Sequence, residues 1–176
     1  MFSAGPLFHE DGAALVADAL RANTTLTEIC FDEAHLCYFG VEPATVLLGA
    51  LVGHRSLRSL KLVHEEEELR SDSAEFGAAL AAIIAADAPA LRALILHNNA
   101  LEDGGMMPLV AALPRNRHLQ LLDIRGNFMS DTFVREQLLP AVRANTGLRQ
   151  LECSYDVRSG SAEAEAEELV KSRQSA

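Results

Sequence analysis

The chain is poor in cysteine and has neither a secretion signal nor a long apolar run. Its 176 residues include only three cysteines, an odd number at no metal-like spacing, so no disulfide framework is expected. Met1–Gly12 lacks a basic segment followed by an apolar one, and the apolar stretch Ala78–Ala86 is too short to span a bilayer. We therefore expect a reduced, cytoplasmic protein that does not bind a membrane, although a secretion route without such a signal stays open.

Positive charge is also scarce. The chain has 15 lysines and arginines against 25 aspartates and glutamates, which gives a net charge of −10. Because binding to a phosphate backbone needs a basic surface, we expect no nucleic-acid partner, and a protein with a basic surface is the better match. Hydrophobic residues at 49% and charged residues at 23% are ordinary for a soluble chain. This length predicts one compact domain with a continuous core.

Motifs of catalytic and cofactor-binding sites are missing as well. The sequence has no G-x-x-x-x-G-K-[ST] loop, no G-x-G-x-x-G, no G-x-S-x-G and no C-x-x-C. Two weak alternatives are an acid–base pair of Asp123 and Glu152 and a divalent-cation site built from His64, His97 and nearby glutamates. The carboxylates are predicted on an open sheet beside Arg125 rather than in a pocket. We therefore expect no enzymatic activity, no catalytic residue, no cofactor and no metal.

What the sequence does contain is one pattern that occurs five times. Its best copy reads L-x-x-L-x-L-x-x-N-x-L, which is typical of a strand followed by a turn and a return segment. This copy begins at Leu91, and the next two follow 28 residues later at Leu119 and a further 29 residues on at Leu148. Weaker copies begin upstream at Leu26 and Leu57. Since one such unit cannot bury its own apolar face, the repeats are expected to stack and share a core.

Each strand is predicted to alternate between core and solvent and to be followed by a helix. The predicted helices are Gly12–Ala22, Pro43–Val52, Ser73–Ala86, Met106–Arg115, Thr132–Arg143 and Ser161–Arg173. A disordered acidic tail is the alternative for the last of them. Pro140 is expected to kink or shorten its helix because it lacks the amide hydrogen. In this single domain the predicted units are an N-terminal helical segment, 1–25, and the repeats 26–56, 57–90, 91–118, 119–147 and 148–176, the last closing with a helix.

The repeat resembles the leucine-rich repeats of the ribonuclease-inhibitor type. Similar repeats occur in NOD-like receptors, Ran GTPase-activating proteins and tropomodulins, and the resemblance covers about Gly12–Arg173, most strongly Leu91–Asn127. It implies an α/β solenoid, a short horseshoe with a concave parallel sheet and convex helices, in which turn asparagines bind backbone groups of the neighbouring repeat. Ala34 and Glu65 replace this asparagine in the first two repeats. Longer spacings there predict insertions near Cys37–Glu42 and Glu65–Ser71.

The side chains that point outward from the predicted strands are the candidates for function. They form three columns across the sheet, with a small apolar centre and a charged rim, which is the composition of a protein-binding patch. We therefore predict a scaffold that binds a partner protein on the concave face. The predicted partner-binding residues are Lys61, Val63, Ile95, His97, Leu121, Asp123, Arg125, Glu152 and Tyr155.

The resemblance leaves narrower alternatives open. One is a tropomodulin-like actin-capping domain, because that family also uses a short five-repeat array with a terminal helix. Another is a GTPase-activating regulator of the Ran type, although no residue here matches an activating position. A third is a fragment of a longer repeat protein. The first strand, Leu26–Asp32, has only a helix ahead of it, so its outer edge is a candidate for self-association or for binding a partner.

Overall fold

The central feature of the fold is a five-stranded parallel sheet with strands in sequence order, β1 to β5. The computed structural model describes residues 10–32, 41–63, 73–156 and 158–174. The strands are β1 (Glu28–Asp32), β2 (Ser59–Val63), β3 (Ala93–His97), β4 (Leu121–Asp123) and β5 (Gln150–Glu152). Parallel strands cannot be joined by tight hairpins, so each connection crosses back over the sheet.

Helices make these crossings and precede the first strand. They are α1 (Glu10–Ala22), α2 (Val41–Leu51), α3 (Ser73–Ala85), α4 (Glu102–Ala112), the pair α5 (Asp131–Phe133) and α6 (Leu139–Ala144), and α7 (Ala162–Ser172). In α3 the apolar residues Phe76, Leu80, Ile83 and Ile84 recur at helical spacing, and all four are buried. They join the strand leucines in one core, so the helices cover one face of the sheet. Within the described residues no helix covers the other face, which we call the open face.

The repeat spacing predicted the strand register correctly. Leu60, Leu94 and Leu122 pair across β2, β3 and β4, and each is fully buried against the helices. The residues between the leucines therefore face the open side, as alternation requires. Two of the three predicted columns of outward-facing residues continue across all five strands. The third column ends at His97 of β3, because β4 stops at Asp123 and has no residue to pair with His97.

The turns after the strands contain the predicted asparagine contacts. Asn99 Nδ2 donates to Leu62 O at 3.0 Å, and Asn127 Nδ2 donates to Leu96 O at 2.7 Å, in each case a carbonyl of the preceding repeat. The ladder is thus confirmed in these two repeats. The predicted positions Ala34, Glu65 and His64 and most of both predicted insertions lie outside the described residues.

A second ladder lies where α4 and α6 return to the next strand. Asn116 Nδ2 donates to Ile84 O at 2.8 Å, and Asn145 Nδ2 donates to Leu113 O at 2.7 Å. Both asparagines are almost fully buried, and their Oδ1 atoms accept amide hydrogens of the next strand. Before β2 His54 replaces the asparagine: Nε2 donates to Leu20 O at 3.1 Å. The ladder therefore links successive repeats at the end of the sheet opposite the turns.

Two helices differ from their predicted bounds by more than two residues or in helix type. α4 begins at Glu102 instead of Met106 and so includes Gly105. Gly105 approaches Gly77 of α3 too closely for any side chain between them. Between α5 and α6 the backbone forms a π-helical segment, Val134–Leu138. Pro140, which lacks an amide hydrogen, follows this segment. The helix was predicted to kink or shorten at Pro140, and instead it continues through a π-helical turn.

The C-terminal helix α7 is present close to its predicted bounds. Ser161 caps it, since Ser161 Oγ accepts a hydrogen bond from Ala164 N at 3.1 Å. The alternative of a disordered acidic tail is therefore wrong for the residues of this helix. Within the described ranges no helix is long and apolar enough to cross a membrane.

Candidate functional site

The nine predicted partner-binding residues all lie on the open face of the sheet or in the turns directly after the strands. Five of them form ion pairs or ring contacts, in two separate parts of this face. At one side Lys61 forms an ion pair with Glu28 of the neighbouring strand at 2.5 Å, and this hydrogen bond raises the pKa of the Lys61 ammonium. At the other side four predicted residues contact one another around β4. Val63, Ile95 and Leu121, the predicted apolar centre, are each partly exposed on this face.

Asp123 is the anchor of the second part, which we call the Arg125–Tyr155 cluster and which consists of His97, Asp123, Arg125 and Tyr155. Its carboxylate is only 4% exposed although its strand position faces outward. Arg125 donates to both carboxylate oxygens, through Nε at 2.9 Å and NH2 at 2.6 Å, and His97 Nε2 contacts Oδ2. Burial alone would raise the pKa of Asp123, but the hydrogen bonds from Arg125 and His97 outweigh it and leave the pKa below its ordinary value.

Arg125 is held between Asp123 and the ring of Tyr155. Its guanidinium carbon lies 5.1 Å from the ring centroid, a cation–π contact. The two-point hydrogen bond to Asp123 fixes the plane of the guanidinium and raises the pKa of Arg125. The arginine therefore presents a fixed planar surface on which the tyrosine packs.

Tyr155 is at once exposed and held in place. Its exposed fraction is 59%, yet its hydroxyl donates to Asn98 Oδ1 at 3.0 Å, and its ring meets His97 edge to face at 6.2 Å between centroids. One ring face packs on Arg125. A large apolar ring with both its position and its hydroxyl fixed loses little conformational entropy when a ligand covers it.

The turn geometry that places Asn98 depends on glycine at one position. Gly126 has φ of +71°, and a Cβ atom there would lie 1.8 Å from Asn98 Oδ1. Asn98 itself has φ of +54°, which asparagine tolerates better than most residues. The two residues occupy the same repeat position, 28 residues apart. Neither residue was predicted as part of the site. Asparagine and glycine are both suited to a left-handed backbone, and their occurrence at the same repeat position is the signal that could have identified them.

His97 Nε2 has two competing contacts. It lies against Asp123 Oδ2 and 3.0 Å from Arg125 NH2. A ring nitrogen that carries a hydrogen can donate to the carboxylate, and one without a hydrogen can accept from the guanidinium, but it cannot do both. The position of the ring hydrogen thus decides which of these two partners Nε2 binds.

Glu152, a further charged residue predicted on this face, lies beside Asp123 in the register of β4 and β5. Its Oε1 accepts a hydrogen bond from Gln150 Nε2 at 3.1 Å. Because its pKa is lowered, Asp123 is not the carboxylate of raised pKa that the alternative of an acid–base pair needs. The alternative of a cation site involves His64, which lies outside the described residues, and within those residues no group of three or more His, Cys, Asp or Glu could hold a metal ion.

Cys153 and Glu167 form a contact that the sequence did not indicate. Cys153 is buried, and its backbone amide donates to Glu167 Oε1 of α7 at 2.6 Å. Burial, followed by the charge of Glu167, raises the pKa of the Cys153 thiol well above its ordinary value, so this cysteine is unreactive.

Chemically, the open face offers an aromatic ring and a paired arginine that contact each other, and a nearby glutamate that Gln150 holds. Such groups recognise a ligand surface by stacking and by charge. In a comparison with known protein-family models and with curated proteins, none matched this chain.

Proposed function

We propose that this protein is a leucine-rich repeat module of the ribonuclease-inhibitor type, without enzymatic activity, that binds a partner protein on the open face of its sheet. The repeated leucine spacing and the asparagine contacts of Asn99 and Asn127 support the repeat type. On this proposal the open face is the concave face of a short horseshoe. The buried thiol of Cys153 suits a reducing compartment, and we place the protein in the cytoplasm.

The observation that carries the proposal is the arrangement of Tyr155. Tyrosine and arginine are enriched among the residues that dominate binding energy at protein interfaces. Here the tyrosine ring is mostly exposed, while Arg125 and Asn98 hold it in one position. Exposing a large ring does not stabilise the folded monomer, whereas a pre-positioned ring favours binding because less freedom is lost.

The charges around this ring favour a basic partner. The chain carries a net charge of −10, and Glu152 lies on the same face as the cluster. The Tyr155 face that does not touch Arg125 is available for a lysine or arginine side chain of the partner, which a ring binds through its π-electrons. We therefore expect association to slow as salt concentration rises, since attraction between opposite charges is screened.

The test is to capture partners by affinity purification with mass spectrometry and to measure their affinity for single variants. Tyr155→Ala should weaken binding by about 2 kcal/mol, roughly 30-fold, if the ring is a dominant contact. Leu15→Ala is the matched control, because Leu15 is a large exposed apolar side chain on α1, outside the site. If every purified partner bound Tyr155→Ala as tightly as the unchanged protein, the proposal would be wrong.

The narrower alternatives are tested by separate assays on the same samples. A tropomodulin-like domain would slow elongation at actin pointed ends, and a Ran-type regulator would accelerate GTP hydrolysis by a small GTPase. Each effect should disappear in Tyr155→Ala if the open face is responsible. Activity that this variant retains would place that function elsewhere on the molecule.

A further inference from the structure

The outer edge of β5 is occupied by side chains of the C-terminal helix and the residues after it. Within the described residues β5 is the last strand of the sheet, so its outward backbone groups have no further strand to pair with. Three side chains, Glu167, Arg173 and Gln174, bind backbone atoms at this end of the fold. Each of these hydrogen bonds corresponds in position to a hydrogen bond that joins two consecutive repeats to each other, one repeat earlier in the chain.

The first counterpart concerns an amide at the end of a strand. Ile124 N, just after β4, donates to Glu152 O of β5 at 2.9 Å. Cys153 occupies the same position one repeat later, and its N donates to Glu167 Oε1 at 2.6 Å. The carboxylate of Glu167 thus takes the place of a carbonyl group from a following strand.

The second counterpart concerns a carbonyl at the start of a strand. Gln120 O, just before β4, accepts hydrogen bonds from the amides of Arg149 and Gln150 at 2.8 and 2.9 Å. One repeat later, Arg149 O accepts from the side-chain amide of Gln174. A side-chain amide here takes the place of the backbone amides of a following strand.

The third counterpart belongs to the buried ladder between helices and strands. Leu113 O accepts a hydrogen bond from Asn145 Nδ2 at 2.7 Å. The same position one repeat later is Val142 O, which accepts from Arg173 NH2 at 2.6 Å. The ladder therefore ends on an arginine side chain instead of continuing to another repeat.

From these three substitutions we infer that α7 and the residues that follow it are an end cap that blocks β5 against pairing with a strand of a second copy of this chain. Along a parallel strand, the backbone groups of successive residues point alternately to one neighbouring strand and to the other. Between the two blocked positions, Arg149 and Cys153, only Leu151 therefore has backbone groups that point away from β4. A single open residue is too short to pair with an incoming strand. Self-association at the β5 edge, one of the two ends of the sheet, is thereby prevented.

The test is the double variant Glu167→Ala and Gln174→Ala, studied as the full chain by sedimentation velocity over a series of concentrations. Removing both side chains exposes the Cys153 amide and the Arg149 carbonyl, so the folded variant should form dimers or larger species at concentrations where the unchanged protein does not. The matched control is Glu168→Ala with Ser172→Ala, because these residues lie on the same helix and contact Lys171 and Leu169 of that helix. The control should sediment like the unchanged protein.

A second measurement keeps the inference testable if the double variant does not fold. In the unchanged protein, the Cys153 amide should exchange with deuterium more slowly than the Leu151 amide, by about tenfold or more, since a hydrogen bond to a charged group protects it. Glu167→Gln, which keeps an acceptor oxygen, should retain much of this protection. Equal exchange at Cys153 and Leu151, or a folded double variant that does not self-associate, would overturn the inference. Neither measurement requires the binding partner, so its outcome is independent of the proposed function.

Discussion

The two faces of the sheet are stabilised in different ways. On the covered face, leucine side chains pack against helices, and the polar groups bind backbone atoms of the preceding repeat, as Asn116 and Asn145 do. On the open face, the polar groups of the Arg125–Tyr155 cluster bind mainly one another, and one large ring stays exposed. The contacts of the covered face therefore serve to stabilise the fold. On the open face, stability of the fold does not explain why one large ring is exposed. Substitutions on each face should separate these two kinds of contribution.

The largest effect is expected on the covered face, at the contact between α3 and α4. A Cβ atom at Gly77 would lie 2.0 Å from the carbonyl oxygen of Gly105, and a backbone atom cannot move aside without shifting its helix. We expect Gly77→Ala to lower the free energy of unfolding by about 3 kcal/mol, as overpacking of a tight core does. Denaturant unfolding measures this difference.

The control for this substitution is Gly49→Ala. Gly49 also lies within a helix, α2, but nothing approaches its Cβ position within 4 Å. Here alanine should stabilise the protein by roughly 0.5–1 kcal/mol, because glycine is a poor helix former. A loss of stability in both variants would mean that the effect at Gly77 does not arise from the close helix contact.

The next effect concerns Asp123, whose lowered pKa makes stability depend on pH. In the unfolded chain an aspartate titrates near pH 4, at about 3.9, and in the folded protein its pKa is lower. Ionised Asp123 therefore contributes stability above about pH 4, and this contribution is lost as the pH falls through the folded-state pKa. Asp123→Asn should cost about 2 kcal/mol at neutral pH, because Arg125 loses a charged partner.

The measurement for Asp123 is the free energy of unfolding of both proteins across the acid range. The difference between the unchanged protein and Asp123→Asn should shrink as the pH falls below about 4. Asp131→Asn is the control, since Asp131 is exposed and pairs only with Arg135 of the same helical stretch. A difference for Asp123→Asn that stayed constant down to the lowest pH would contradict the role of its ionised form.

A smaller effect is expected where His54 takes the place of an asparagine in the buried ladder. His54 Nδ1 accepts from Leu57 N at 3.2 Å while Nε2 donates to Leu20 O, which are the two roles that asparagine has elsewhere in this ladder. His54→Ala leaves both backbone groups without their side-chain partner and should cost about 1.5 kcal/mol. His54→Asn should cost clearly less, and thermal or denaturant unfolding compares the two. Equal losses in the two variants would show that the shape of the ring, and not its hydrogen bonds, is what this position needs.

The repeat spacing predicted the covered face well and the open face only in part. Leucine positions and register follow from a two-residue alternation that is visible in the sequence, which is why Leu94 and Leu122 were placed correctly. The same alternation predicted Asp123 as an outward-facing rim residue, but its carboxylate is buried because Arg125 and His97 bind it. Contacts of this kind depend on side-chain conformation, which periodicity does not determine.

Contacts between residues distant in sequence were also missed, for a related reason. Glu167 binds the Cys153 amide across 14 residues, and Tyr155 binds Asn98 across 57 residues. Neither pairing leaves a local pattern, since a glutamate in an acidic helix resembles a solvated residue. Such contacts become visible only when the helix and the turns are placed in space.

The smallest effect expected is the most specific to the site. Gly126→Ala and Gly160→Ala both place alanine at a positive φ, +71° and +86°, so both should lose about 1 kcal/mol of stability. Only at Gly126 would the new methyl group displace Asn98, the partner of the Tyr155 hydroxyl, because nothing lies within 4 Å of the corresponding position at Gly160.

The chain has two tyrosines and no tryptophan, so in a Tyr38→Phe background the fluorescence reports Tyr155 alone. Gly126→Ala should change the emission and quenching of Tyr155, whereas Gly160→Ala should leave both as they are. Identical fluorescence in the two variants would mean that Asn98 does not hold the ring, and the pre-positioned tyrosine on which the binding proposal depends would lose its support.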